Sequence, residues 1–208
     1  TTDLLCFAED IWFDYCRPLR VLDEDLNKTQ MYQNEVKRKQ EMRERLNLDD
    51  YITKLEMVVD IHRMKRHELE RVIQLINKTN QFNVTTKRYT QADVLEIAAN
   101  PNNAVYVVYS SDKYGNSGLI SVVILIGCEV GVKIDSFLMS CRIMGRKLED
   151  VIINELAVRY GCKLIGEFSP TAKNNPVKEL YDRLGFTILS DDDGYRTYEL
   201  DASNYEKK

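Results

Sequence analysis

Residues 134–160 read IDSFLMSCRIMGRKLEDVIINELAVRY and combine three parts of one motif. The first part is mostly apolar, which favours a strand that is covered on both faces. After Gly145, apolar residues recur at Leu148, Ile152 and Leu156, close to the period of an α-helix. A short basic segment with one glycine lies between the two. The stretch therefore predicts a strand, a tight turn and an amphipathic helix.

The turn of this motif suits an anion. The first turn of a helix has backbone N–H groups without intrahelical partners, and the helix dipole places partial positive charge there. Three cationic side chains add to this charge. We therefore predict that the turn binds a phosphate or pyrophosphate. The residues assigned to this site are Arg142, Ile143, Met144, Gly145, Arg146 and Lys147.

Length and charge exclude several classes of protein. The 208 residues have room for one domain with an appendage or for two small domains. A net charge of -4 argues against a nucleic-acid-binding protein. The longest apolar run, Leu119–Cys128, is too short to span a bilayer, and no secretion signal is present. These features predict a cytoplasmic protein with no membrane or nucleic-acid partner.

The five cysteines show no spacing typical of a metal site, so we predict reduced thiols and no bound metal. No P-loop or Rossmann fingerprint is present either. The chain begins at Thr1, and its first residues resemble the end of a preceding unit. We expect a fragment of a longer protein.

The amino-terminal part is expected to be a helical extension. Residues 27–46 are almost wholly polar and favour a helix, and Lys37–Lys39 are either a basic docking patch or a solvated helix face. Asp49 is expected to cap a second, short helix. We predict an extension over residues 1–55 and the main domain over residues 56–208. Packing of the first helix is expected from Met31, Val36, Met42 and Leu46.

From about residue 56 the patterns predict the order β-α-α-β-β-β-α-β-α-β-β. Thr90 and Asp93 resemble a capping box, and the segment SDKYGNSG predicts a hairpin turn. Residues 77–89 form a polar stretch without glycine or proline. This stretch is either a binding loop or a well-hydrogen-bonded connection. Its candidate substrate-binding residues are Asn80, Gln81, Asn83 and Thr85.

This order of elements resembles that of the GNAT acyltransferases. Proteins of that fold bind the pyrophosphate of acyl-coenzyme A at a Q/R-x-x-G-x-G/A turn, which Arg142 and Gly145 match and Lys147 does not. They often carry N-x-x-A-x-x-L-Y-x-x-x-G-F, which resembles Asn174–Phe186. The resemblance implies an α/β (α+β) fold with a mixed, mostly antiparallel sheet flanked by helices. It also implies that Asn174 lies beside the pantetheine arm and that Tyr181 is a general acid.

A closer resemblance is to the carboxy-terminal region of FkbH-like proteins. It is carried by four stretches, namely residues 26–40, 72–90, 134–150 and 166–186. The resemblance implies a GNAT-like domain that follows a haloacid-dehalogenase-like domain, whose D-x-D-x-T/V motif is absent here. It further implies an acyl carrier protein as partner and a glyceryl group as the acyl group. The implied cofactor is acyl-CoA or the phosphopantetheine of the carrier protein.

Two mechanisms are compatible with this resemblance. In the first, Met139, Ser140 and Cys141 end a splayed strand that orients the acyl carbonyl. Cys141 is either a nucleophile, favoured as a thiolate by the adjacent basic turn, or a strand cysteine that packs as a small apolar residue. Glu167 is a candidate base at the end of a strand. In the second mechanism, the domain is a noncatalytic docking or substrate-holding module.

Overall fold

The computed structural model describes residues 28–44 and 47–205. The helices in this part are α1 (Lys28–Glu44), α2 (Leu48–Lys54), α3 (Leu69–Lys78), α4 (Gln91–Ala99), α5 (Leu148–Tyr160) and α6 (Leu180–Leu184). The strands are β1 (Val58–Arg63), β2 (Ala104–Asp112), β3 (Gly115–Cys128), β4 (Gly131–Met139), β5 (Lys163–Phe168), β6 (Thr187–Asp192) and β7 (Tyr195–Asp201). Short 3-10 turns cover Arg66–Glu68, Cys141–Ile143, Asn175–Val177 and Ala202–Asn204.

Within the described residues, seven strands form one sheet in the order β1-β2-β3-β4-β5-β7-β6. Neighbouring strands are antiparallel except for β4 and β5, which run parallel. A parallel pair needs a crossover, and α5 supplies it. The predicted fold class, a mixed and mostly antiparallel sheet flanked by helices, is therefore confirmed.

Helices cover both faces of this sheet. On one face, Val72 and Ile76 of α3 and Val94 of α4 pack with residues of β2 and β3. On the other face, Ile152 and Leu156 of α5 belong to the larger core. All five side chains are fully buried. Strands β3 and β4 read as continuous apolar runs because both of their faces are covered.

The central motif forms as predicted, with adjusted boundaries. Strand β4 ends at Met139, and α5 begins at Leu148 and ends at Tyr160, followed by Gly161 in the left-handed conformation. The capping box of Thr90 and Asp93 is also confirmed, because each side chain accepts a hydrogen bond from the other residue's backbone N–H.

The predicted β2–β3 hairpin is confirmed, but its turn consists of only two residues, since both strands continue into the predicted loop. Two other local predictions were wrong. The predicted helix before Gly185 is divided into a 3-10 turn and α6. The cap of α2 is Asn47, whose side chain accepts a hydrogen bond from the backbone N–H of Asp49. Asn47 lies before the first helical turn, where its oxygen reaches that N–H.

The packing side of α1 is polar, contrary to prediction. Val36 is 65% and Met42 is 47% exposed, whereas Asn34, Arg38 and Glu41 are buried. Ion pairs to the β2–β3 hairpin cover this polar side, so α1 docks through charge rather than apolar contact. Met31 lines a cavity, and Leu46 lies outside the described residues.

Arg38 makes the main contact of α1. Its Nε and Nη2 donate to the two carboxylate oxygens of Asp112 at 2.6 and 2.7 Å. The side chains of Arg38 and Asp112 are 4% and 2% exposed. This bidentate geometry is the strongest form of ion pair, and it makes Arg38 part of the fold rather than of a surface patch. Glu41 adds contacts with Lys113 and with the hydroxyl of Tyr114.

In the described residues, no helix is long and apolar enough to cross a membrane. Cys128, Cys141 and Cys162 are free thiols. Cys6 and Cys16 lie outside the described residues, as do the short apolar segments of residues 1–26.

Candidate functional site

The gap between β4 and β5 is the first feature of the site. The two strands pair as far as Ile134 and Gly166 and then diverge. Residues 82–84 fill the gap beyond this point as a short extra strand. The N–H of Val84 donates to the Phe137 carbonyl at 3.1 Å, and the N–H of Met139 donates to the Phe82 carbonyl at 3.0 Å. Residues 82–84 thus occupy the open edge of β4.

Asn174 fixes this inserted segment to β5. Its side chain is fully buried, and its Nδ2 donates to the Asn83 carbonyl at 3.0 Å and to the Ser169 carbonyl at 2.9 Å. The N–H of Ser169 donates to the Val84 carbonyl at 2.8 Å. Asn174 therefore has a structural role here, and its amide donors are used within the protein.

A cavity of about 670 Å³ lies beside the carboxyl end of β4. This volume is within the range of small-molecule sites. Its walls come from α1, α3, the loop after α3, the end of β4 and residues 172–173. It brings together six of the predicted site residues, namely Asn80, Gln81, Met139, Ser140, Cys141 and Arg142.

Cys141 is an exposed free thiol in the wall of this cavity. It is the first residue after Ser140, where β4 has ended and the chain turns. The alternative prediction, a cysteine buried within the strand, is wrong because β4 ends before it. The position leaves the sulfur open to a ligand in the cavity.

Acidic side chains of the protein pair with two of the three cations in the predicted anion turn. Arg146 is 5% exposed and donates to Glu35 of α1 at 2.8 Å. Lys147 donates to Asp49 at 2.6 Å, and Arg142 donates to the Ser140 hydroxyl at 3.2 Å. Acids therefore pair with Arg146 and Lys147 in this conformation, and pyrophosphate binding at the turn stays a prediction.

Gly145 and Lys147 both adopt a left-handed backbone conformation in the turn. Gly145 has φ 82° and Lys147 has φ 55°, both in the left-handed region. A side chain at Gly145 would meet no atom within 4 Å, so its role is conformational freedom rather than close approach. Ile143 and Met144 contribute to the core, so their side chains are structural.

A cluster of charged side chains lies where β4 and β5 diverge. Asp135 accepts from Lys87 at 2.6 Å and from the Tyr89 hydroxyl at 2.7 Å. Burial opposes ionisation, but the hydrogen bonds from Lys87, Tyr89 and Lys133 hold the pKa of Asp135 below its usual value. Glu167 lies within 3.5 Å of both lysines. Glu167 therefore lies in an ion cluster, and it is not part of the cavity wall.

Tyr181 is buried below β5. It is 1% exposed, and its hydroxyl finds no hydrogen-bond partner among the described residues. Burial raises its pKa far above the usual value. A Cβ on Gly166 would lie 2.7 Å from the Tyr181 ring, so this glycine makes room for the aromatic side chain. Tyr181 is not among the residues that line the cavity.

The remaining loop candidates are internal. Asn83 is fully buried and accepts from the N–H of Thr86 at 2.8 Å. Thr85 donates to the Asp135 carbonyl at 3.0 Å. The hydrogen bonds of the stretch of residues 77–89 support the predicted connection, and its role as a binding loop stays a prediction. Its start lines a cavity, and its end is a hydrogen-bonded connection.

Sequence reasoning missed the face of α3 that lines the cavity. Arg71, Gln74 and Lys78 lie at i, i+3 and i+7, which places them on one side of the helix. This polar spacing was a usable signal, since the opposite face carries Val72 and Ile76. No local pattern marked Lys173, which reaches the cavity from a distant loop.

The described part of the chain has the fold of the GNAT N-acetyltransferases. A domain from Methanocaldococcus jannaschii aligns with a TM-score of 0.52 and 12% identity, over 70% of this chain and 99% of the other. The GNAT domain of PAT from S. lividans aligns with a TM-score of 0.52 and 14% identity, over 69% and 90%. Mutant forms of the spermidine/spermine N-acetyltransferase SpeG from Vibrio cholerae give 0.51 and 16%, over 71% and 95%.

At these identities the likeness concerns the fold. No protein-family model matches the chain. No curated protein matches it either.

Proposed function

We propose that this chain is a GNAT-type acyltransferase domain that acts on an acyl thioester of a phosphopantetheine arm. One observation carries the proposal. In a GNAT fold, a cavity of ligand size lies at the end of β4 and presents an exposed thiol, Cys141. The resemblance to FkbH-like proteins supports a glyceryl group as the acyl group.

Cys141 is the acceptor in the proposed reaction. Its thiolate attacks the carbonyl carbon of the incoming thioester and forms a new carbon–sulfur bond. The bond to the pantetheine sulfur breaks, and that sulfur leaves as a thiolate and takes up a proton. A second nucleophile then removes the acyl group from Cys141 and regenerates the thiol.

The other predicted residues have different parts in the proposal. Ser140 and Arg142 lie on either side of Cys141 and position the substrate in the cavity. Glu167 contributes to the ion cluster that holds the loop, and Tyr181 supports β5 from below. Proton uptake by the leaving group is assigned to solvent. Within the described residues no Asp, Glu or His lines the cavity.

The proposed partners are an acyl carrier protein and an upstream haloacid-dehalogenase-like domain of the same chain. The FkbH-like resemblance supports both. The carrier protein would deliver the thioester as a tethered arm, whereas CoA would deliver it free. The two donors share the pantetheine thioester that the cavity would receive.

Mass spectrometry after incubation with a glyceryl thioester of a carrier protein tests the proposal. We expect one glyceryl adduct on Cys141 in the wild-type protein and none in Cys141→Ser. Cys128→Ser is the matched control, because Cys128 is also an exposed free thiol. An adduct that persists in Cys141→Ser, or that forms equally on Cys128, would exclude the activated thiol.

A noncatalytic carrier-protein docking or substrate-holding module is the second candidate. A specific observation favours it. Residues 82–84 occupy the β4 edge, and Glu35 and Asp49 neutralise the turn. An acetyl-CoA titration by calorimetry separates the candidates, since a docking module would show no saturable binding of the free thioester.

A further inference from the structure

The charged side chains that line the cavity beside β4 are all positive in the described residues. Four basic side chains line it, two from α3, one from the turn after β4 and one from the loop before α6; they are Arg71, Lys78, Arg142 and Lys173. No acidic side chain lines it within residues 28–44 and 47–205. The whole chain carries a net charge of -4, so this concentration of positive charge is local.

The other side chains of the cavity wall are neutral. Met31, Leu75, Phe82 and Met139 are apolar, and Gln74, Asn80 and Gln81 carry amides. The cavity thus combines cationic side chains with neutral ones. A ligand that matches it has a compact anionic group attached to a short, largely neutral chain.

The two exposed lysines of this wall are not used in ion pairs. Neither Lys78 nor Lys173 pairs with an acid in the described part of the chain, whereas the nearby Lys147 pairs with Asp49 and Lys87 with Asp135. Lys78 lies in the last turn of α3 and also interacts favourably with the helix dipole. A phosphate dianion bound between several cations would form several charge-assisted hydrogen bonds. Together these stabilise the complex more than the helix dipole stabilises Lys78.

We propose that this cavity binds a phosphate group through Lys78 and Lys173, with Arg71 and Arg142 in the same wall. A phosphate carries enough charge and oxygen acceptors for several cations at once. The phosphate would thus be bound beside α3 and not at the turn before α5, where Glu35 and Asp49 already neutralise the cations. This inference rests on the proposed function, because it concerns the same cavity.

Phosphopantetheine and a small phosphorylated acyl donor share this chemistry. Calorimetry with matched pairs of probes distinguishes them, using 4′-phosphopantetheine against pantetheine and 3-phosphoglycerate against glycerate. We expect the phosphorylated member of one pair to bind at least ~10-fold more tightly, with an affinity that falls as salt rises. Equal affinities within both pairs would overturn the proposal.

Charge reversal locates the site. Lys78→Glu and Lys173→Glu should each weaken the phosphorylated probe by roughly 10-fold and leave its unphosphorylated counterpart unchanged. The matched control is Lys54→Glu on the exposed side of α2, which changes net charge equally and should have no effect. Equal weakening by all three variants would mean nonspecific electrostatics and would overturn the site.

A replacement variant and the binding of the unphosphorylated probes separate the possible outcomes. If Lys78→Glu fails to fold, as judged by circular dichroism, Lys78→Gln replaces it and should still weaken the phosphorylated probe. Pantetheine binding with no preference for phosphate would leave the proposed function standing and overturn this inference. Phosphate-dependent binding of 3-phosphoglycerate alone, without adduct formation on Cys141, would support this inference and overturn the proposed function.

Discussion

Tyr181 and Tyr198 are neighbours in the core, with ring centroids 5.1 Å apart. Both are almost fully buried. Their hydroxyl groups differ, because Tyr198 donates to Asp182 at 3.0 Å whereas Tyr181 donates to no group in the described residues. A buried hydroxyl whose proton has no acceptor is destabilising, so the two residues respond differently to the same substitution.

Tyr181→Phe is therefore expected to leave stability unchanged or to raise it by up to ~1 kcal/mol, since it removes an unpaired buried hydroxyl. Tyr198→Phe, the matched control, should lose about 1 kcal/mol with its hydrogen bond. Urea unfolding measures both. Adduct formation on Cys141 should also survive in Tyr181→Phe. Its loss in a stable variant would show that Tyr181 acts as the general acid after all.

Asp135 gives a pH dependence whose sign follows from its surroundings. Its pKa is lowered from the usual 3.8 because, despite burial, Lys87, Tyr89 and Lys133 favour the carboxylate. A lowered pKa in the folded state contributes stability that is present above pH 3.8 and is lost as the pH falls through the folded value.

Asp135→Asn should lower the free energy of unfolding at pH 7 by roughly 1–3 kcal/mol. The difference from wild type should stay constant down to about pH 5 and shrink below pH 3.8. Denaturant titrations across this range measure it. Asp50→Asn on the exposed face of α2 is the control. A difference that grows as the pH falls would contradict the sign.

At the scale of elements, residues 82–84 decide how the sheet ends. Because β4 and β5 diverge, each would leave backbone groups without partners beyond Ile134 and Gly166. The inserted segment provides hydrogen-bond partners for the carbonyl of Phe137 and for the N–H groups of Met139 and Ser169. Phe82 also packs edge-on against Phe137, with centroids 5.4 Å apart. The segment is thus a strand in its contacts, although it is too short to form without its neighbours.

Asn174→Ala should release this segment, because it leaves the buried carbonyls of Asn83 and Ser169 without their donor. We expect a loss of about 2–3 kcal/mol in stability. Amide hydrogen exchange should accelerate at Val84 and Met139 more than in β2. Asn116→Ala, which removes an exposed turn contact to the N–H of Gly118, is the control. A uniform acceleration over the sheet would contradict a local release.

At the scale of the whole molecule, one charge network joins α1 to the β2–β3 hairpin and to the turn before α5. Arg38 and Glu35 of α1 meet Asp112 of the hairpin and Arg146 of the turn. Arg146 also approaches Asp112 at 3.8 Å. Largely buried charges therefore connect three parts of the chain.

Asp112→Asn should lower stability by about 3–5 kcal/mol, because it leaves Arg38 buried with much less compensation. Asp49→Asn is the matched control, since the pair of Lys147 and Asp49 is 51% and 68% exposed and should contribute less than ~1 kcal/mol. Thermal and urea unfolding measure both. Equal small losses would show that α1 is not anchored by the buried pair.

The amino-acid sequence by itself determined the type and order of the elements. The strand–turn–helix over residues 134–160 and the capping box at Thr90 rest on periodicity and turn chemistry. Both act between residues that are close in the chain. The order of strands and helices was therefore predictable, and so was the position of Cys141 next to a basic turn, whereas the arrangement of the sheet was implied by the resemblance to GNAT acyltransferases.

Only the tertiary structure decided how the site is built. The pair of Arg146 and Glu35 joins residues 111 positions apart, and Asn174 contacts a carbonyl 91 positions away. The buried side of α1 is polar because its partners are charges on a distant hairpin. No local pattern encodes such pairs. Contacts of this kind pair two cations of the predicted anion turn with acids, and a basic cavity is assembled from separate segments.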